Sequence, residues 1–82
     1  MSQTQVFEKV VEILTPYAKN AEAVASVGLG TKILDDLQVN SARLVDVVLS
    51  FEDTFSIEIA DEDVDKVNTV GDAVGLICGK LH

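Results

Sequence analysis

Eighty-two residues make one small domain and leave no room for two. Hydrophobic residues are 48% of the chain but aromatics only 5%, with no tryptophan, so any core is thin and aliphatic. Of the net charge of −8, the segment Asp35–Asp72 carries −9 (eleven acids against Arg43 and Lys66) and the rest +1, which argues against nucleic-acid binding and suits either basic protein partners or a solvated acidic surface that only aids solubility.

In chain order, a first helix is expected from Ser2–Thr4, with Phe7, Val10, Val11, Leu14 and Tyr17 on one side. Pro16 removes a backbone donor and disfavours helix at Thr15, so this helix stops or kinks there. Residues 18–27 (AKNAEAVASV) are alanine-rich and suit a second helical piece. Gly28 and Gly30 then open a connection toward Ile33, Leu34 and Leu37.

The central stretch runs DLQVNSARLVDVVLSFEDTF from Asp36 to Phe55. Leu44, Val47, Val48, Phe51 and Phe55 recur at i, i+3, i+4, i+7 and i+11, one face of a helix. Arg43, Asp46, Ser50, Asp53 and Thr54 take the other face. Asn40 is a favoured N-cap type, so the helix should begin near Ser41. SIEIA at 56–60 alternates like a strand but has no evident partner strand, and is read as an extended loop burying Ile57 or Ile59. A short helix over Asp61–Val67 is expected next. Thr69-Val-Gly-Asp72 has capping-box spacing, Val70, Ala73, Val74 and Ile77 keep a helical period, and Gly79 marks a stop. The expected architecture is a small all-α bundle of three main helices plus a short one, a single domain over residues 1–82.

The candidate chemistry centres on Ser41. A serine at a helix start is usually a structural opener. A nucleophilic serine needs a base, and the only histidine is His82 at the end of the chain, so catalysis by Ser41 is not supported. Modification by another enzyme needs only exposure, and a phosphate there would meet the positive end of the helix dipole. Asp61, Asp63, Asp65 and Asp72 fall at positions 1, 3, 5 and 12 of a calcium-loop window. Lys66 stands where the turn needs glycine, and position 12 lacks the longer glutamate. Cys78 reads as a structural thiol, and with His82 it falls short of a metal-ligand set. The glycines of VGLGTK complete no phosphate loop. No run approaches the length of a membrane span, and a lone cysteine without a secretory leader fits a reducing cytoplasm. The net charge favours a monomer.

From Ile33 to Val74 the chain resembles the acyl carrier proteins: ILDDL, then NSA, then RLVDVVLSFEDTF, IEIADED and NTVGDAV stand at that family's spacings without insertion. The resemblance implies that Ser41 is the attachment point for 4′-phosphopantetheine, transferred from coenzyme A by a phosphopantetheinyl transferase. The arm's thiol would hold acyl intermediates as thioesters, and the protein itself would catalyse nothing. It also implies partner contacts at Asp36, Asn40, Arg43, Asp46, Leu49, Glu52, Asp53 and Ile59, made with acyl-transferring or acyl-synthesising enzymes that present basic patches. Val45, Val48, Phe51 and Val67 would line an interior that shelters the acyl chain. The departures from the family pattern are Asn40 for aspartate, Ala42 for leucine, Arg43 for a non-basic residue, Gln38 for glycine and Ala60 for proline. Asn40 and Arg43 make the edge around Ser41 more positive, which would weaken docking to a basic transferase and suits a specialised carrier with dedicated partners. Two other readings stay open: an unmodified interaction or regulatory protein of the same fold, and a calcium-responsive helical module.

Overall fold

In a computed structural model describing residues 2–81, the chain forms five α-helices: α1 (Gln3–Leu14), α2 (Ala21–Ala25), α3 (Leu44–Phe55), α4 (Asp61–Val64) and α5 (Val70–Leu81). The three long helices have twelve residues each, and α1 packs on both α3 and α5. Among the described residues, β pairing is limited to one isolated bridge between Lys32 and Thr69, so the all-α expectation is met. Residues 56–60 are the extended loop expected, with Ile57 and Ile59 both half-buried.

Helix α1 begins at a closed capping box. Ser2 Oγ accepts the Gln5 N–H at 3.2 Å, and Gln5 Oε1 accepts the Ser2 N–H at 2.9 Å. Its buried stripe is Val6, Val10 and Leu14, while Phe7, Val11 and Tyr17 lie half-buried beside it. Val10 and Leu14 are buried as the period implies, while Val6 rather than Phe7 is the buried residue of the first turns. The α-helix ends at Leu14, and Pro16 sits in a 3₁₀ turn over Thr15–Tyr17.

The long connection before α3 is folded tightly. Asn20 caps α2 by accepting the Ala23 N–H at 3.2 Å, and its amide donates to the Asp36 carbonyl at 3.1 Å. The Leu37 carbonyl accepts N–H groups from Lys19 and Asn20 at 3.1 and 3.2 Å. Ile33, Leu37 and Val39 are buried, whereas Leu34 turns outward. Between Leu37 and Val39, Gln38 has φ 58°, a left-handed conformation. A side chain there costs about 1 kcal/mol relative to glycine, so Gln38→Gly should raise stability by about that amount, read as a higher urea midpoint at unchanged m-value.

On α3, Val47, Phe51 and Phe55 are buried and Leu44 and Val48 half-buried, as the period implies. Ser56 closes the helix with φ 55° and ψ 48°, and the Ile57 N–H returns to the Glu52 carbonyl at 3.1 Å. Helix α4 stops at Val64, shorter than expected, because Asp65 and Lys66 form a turn. Helix α5 runs on through Gly79 to Leu81. Leu81 and Cys78 pack against the core, and that packing outweighs the roughly 1 kcal/mol a glycine costs within a helix.

The start of α5 is anchored by both chain neighbours and a distant loop. Thr69 Oγ1 accepts the Asp72 N–H at 3.0 Å, and Asp72 Oδ2 accepts those of Thr69 and Asn68 at 3.0 and 3.1 Å. Val70 and Gly71 donate to the carbonyls of Thr31 and Leu29 at 2.9 and 2.7 Å. The two N–H groups from Thr69 and Asn68 hold the Asp72 carboxyl below its ordinary range. A carboxylate lowered on folding contributes stability above its unfolded pKa of about 3.9, and that contribution is lost as pH falls through the folded value. Asp72→Asn should thus be less stable than the parent at pH 7, with the gap closing below about pH 4 in parallel thermal melts.

Candidate carrier site around Ser41

The local sequence builds a short turn before the central helix. Asn40 is extended (φ −65°, ψ 128°), and its Oδ1 accepts the Ala42 N–H at 2.9 Å. The Asn40 carbonyl takes the Arg43 N–H at 2.8 Å, which winds Ser41–Arg43 into a 3₁₀ turn that leads into α3 at Leu44. Asn40 caps as expected, but the α-helix itself begins three residues after Ser41. Ser41 is exposed at the head of this turn, and among the described residues no hydrogen bond ties its hydroxyl.

Arg43 Nη1 lies 3.4 Å from Asp46 Oδ2, one turn on. Both side chains are largely exposed, so the pair adds little stability, yet it partly offsets the cationic edge that Arg43 creates beside Ser41. Asp53 is exposed further along α3. Asp36 is exposed too, with Oδ2 accepting the Lys32 N–H at 2.8 Å, so it also shapes the turn that delivers Ser41. Glu52 is half-buried and accepts the Ile59 N–H at 3.1 Å. That bond holds the loop after α3 against the helix, an intrachain role the resemblance did not suggest.

An open apolar groove starts one turn below Ser41. It has a volume of about 310 Å³ and is lined by Val45, Val48, Leu49, Glu52, Ile59, Asp61, Val64 and Asp65. Val45 and Leu49 are 65% and 53% exposed, and their apolar surface forms the α3 wall. Behind the groove lies an inner cleft lined by Ile33, Leu44, Val48, Phe51, Ile59, Val64, Val67, Ala73 and Leu76, with free volume of about 10 Å³. Val48, Ile59 and Val64 belong to both and separate one from the other.

Of the four residues assigned to the acyl interior, Val48, Phe51 and Val67 reach the inner cleft. Val45 does not: its position on α3 turns it outward, and it walls the groove instead. Leu49 and Ile59, assigned to partners, also line that groove. The resemblance assigns Val64 no role, although an isolated valine among the acids of DEDVD marks an inward-facing position. Ile33 and Leu76 carried no signal, because they reach the cleft only through the tertiary fold.

The acids of the calcium-loop window do not converge on one point: Asp61 and Asp65 line the groove, while Asp63 and Asp72 take partners of their own. Asp63 Oδ2 is 3.1 Å from Lys80 Nζ, and that hydrogen bond, with a weaker one from the Ala60 N–H, holds its carboxyl low. Asp72 is turned toward Asn68 and Thr69. Among the described residues no three His, Cys, Asp or Glu side chains are grouped to hold a metal ion. Cys78 is half-buried, and His82 lies outside the described residues.

An exposed hydroxyl, unbonded among the described residues and above an apolar groove, fits the attachment of a long polar arm with an apolar cargo. The family model for a phosphopantetheine attachment site matches residues 18–77. The chain is 38% identical over 82 residues to the acyl carrier protein of Petrotoga mobilis, covering all of this chain and 94% of that one. It is also 38% identical over 80 residues to the acyl carrier protein of Thermotoga maritima, covering 98% and 96%. A solved structure of the acyl carrier protein from Enterococcus faecalis superposes with a TM-score of 0.80 at 35% identity, covering 98% of this chain and 99% of that one. The chain belongs to the acyl carrier protein family: a non-catalytic carrier whose cofactor is 4′-phosphopantetheine.

Proposed function

We propose that Ser41 is the residue that bears the phosphopantetheine arm. The observation that carries this reading is the exposed Ser41 hydroxyl, unbonded among the described residues, one turn above the apolar groove. When attached, the arm supplies a terminal thiol on which an acyl group is held. The chain's own part is positional. Asn40 and the 3₁₀ turn present the hydroxyl, and the groove walled by Val45 and Leu49 offers apolar surface to cargo or partner.

The partners in this reading are a phosphopantetheinyl transferase and acyl-handling enzymes that approach α3 with basic patches, meeting Asp46 and Asp53, while the protein itself is a monomer. Among the described residues no helix is long and apolar enough to cross a membrane. Arg43 and Asn40 give the Ser41 edge a charge pattern suited to a specialised acyl pathway with a dedicated transferase.

The test is intact mass after incubation with coenzyme A and a broad-specificity phosphopantetheinyl transferase. The expected result is a gain of one phosphopantetheine unit, abolished in Ser41→Ala, with the helical circular dichroism of that variant unchanged. A gain that survives in Ser41→Ala would overturn the assignment. The Asn40→Asp, Arg43→Asp double variant should be modified several-fold faster than the parent. Equal rates would remove the charge argument for a dedicated transferase.

A further inference from the structure

The inner cleft has free volume of only about 10 Å³, roughly the room one water needs, so an apolar chain can enter only if a wall moves. The walls are unequal. Helices α3 and α5 each have twelve residues and several buried side chains, whereas α4 has four residues and none that is fully buried. Its backbone N–H bonds are local, running between residues 60 and 67. Val64 stands on α4 between groove and cleft, so displacing α4 joins the two.

The flanks of this segment are tied to the long helices by the N–H groups of Ile57 and Ile59 on Glu52 and of Asn68 on Asp72, whereas α4 itself is tied by an ion pair. Upstream, the Ile59 N–H is held by Glu52 at 3.1 Å. On α4 itself, Asp63 meets Lys80 near the end of α5 at 3.1 Å, with side chains 21% and 36% exposed. The other two ion pairs, Lys9–Glu12 and Arg43–Asp46, are i,i+3 contacts between close chain neighbours. Among the described residues, Asp63–Lys80 is therefore the only ion pair that joins two separate helices.

We propose that the Asp63–Lys80 pair latches α4 as the movable wall of the cleft, and so limits how long an apolar chain the interior admits. Lys80 and Asp63 act through Val64 and are positioning residues for the cargo. The chain-length arm of the test below rests on Ser41 carrying the arm; the exchange arm does not.

Amide hydrogen exchange is measured on the unmodified full chain for the parent, Lys80→Ala, Lys80→Arg and Asp63→Asn. Asp63→Asn keeps an oxygen for the Ala60 N–H while removing the charge. Losing a part-buried pair should speed exchange over residues 63–67 by about threefold to fivefold, with the amides of α1 and the middle of α5 unchanged and Lys80→Arg close to the parent. In the second arm, Ser41 is loaded with saturated acyl phosphopantetheines from butanoyl to hexadecanoyl, and release by hydroxylamine is timed. The longest chain that is protected should increase in Lys80→Ala and revert in Lys80→Arg. Uniform acceleration across the whole chain would reveal a general stability effect and overturn the latch. Unchanged exchange over 63–67, or a local exchange change with the same chain-length limit, would overturn it as well. Failure to load any variant, parent included, would instead strike the Ser41 assignment and leave the exchange arm to decide.

Discussion

Phe51→Ala lowers the unfolding free energy by about 3–5 kcal/mol, whereas Leu49→Ala, two residues away on α3, changes it by no more than about 0.5 kcal/mol. The difference lies in what each ring or branch touches. Phe51 is 3% exposed, belongs to the buried cluster shared by α1, α3 and α5, and also faces the inner cleft. Removing its ring leaves a cavity that neighbouring side chains fill only in part. For a domain this small, total stability is about 4–12 kcal/mol, so the loss is a large fraction of the whole. Leu49 is 53% exposed, and truncating it removes groove surface rather than core. Urea unfolding of both variants beside the parent checks this. Similar midpoints for Phe51→Ala and Leu49→Ala would mean that the α3 face has been misplaced.

Gly71→Ala destabilises the protein by about 1–3 kcal/mol, although alanine is the better helix former by about 1 kcal/mol. A Cβ built on Gly71 lies 2.7 Å from the Leu29 carbonyl oxygen and 3.2 Å from Leu29 Cβ. The oxygen belongs to backbone that already accepts the Gly71 N–H at 2.7 Å, so it cannot move away without breaking the anchor of α5. Gly75 and Gly79 sit on the same helix with nothing within 4 Å of a built Cβ. Gly75→Ala and Gly79→Ala should each gain about 0.5–1 kcal/mol, so the sign separates close approach from propensity. Thermal melts of the three variants settle it. A Gly71→Ala melting temperature above the parent's would refute the contact.

The signals legible in the sequence were local ones. The period of Leu44, Val47, Val48, Phe51 and Phe55 marked the inward side of α3, and the Thr69–Asp72 spacing marked the start of α5. Asn40 announced a cap through its chemistry. Boundaries were less legible. The 3₁₀ turn at Ser41–Arg43, the early end of α4 and the passage of α5 through Gly79 all depend on how neighbouring elements pack. Gly71 looked like any glycine inside a helical pattern, since the atom it must avoid lies some forty residues away at Leu29.

For the site, the family, the all-α class and the one hydroxyl placed between a cap and an amphipathic helix are all legible before the fold is known. Residue type and short-range spacing carry that information, because a cap bonds two or three residues on and the α3 period is complete within eleven. Docking of the helices, which no period records, assigns side chains to the groove or to the cleft behind it. It set Val45 on an open groove and Val48 on the partition, and it closed the inner cleft behind Val64. It also joined Asp63 to Lys80 and Glu52 to the Ile59 backbone, contacts between residues 7 to 17 positions apart. Such contacts form only once separate elements have docked, and no local preference of the chain encodes them.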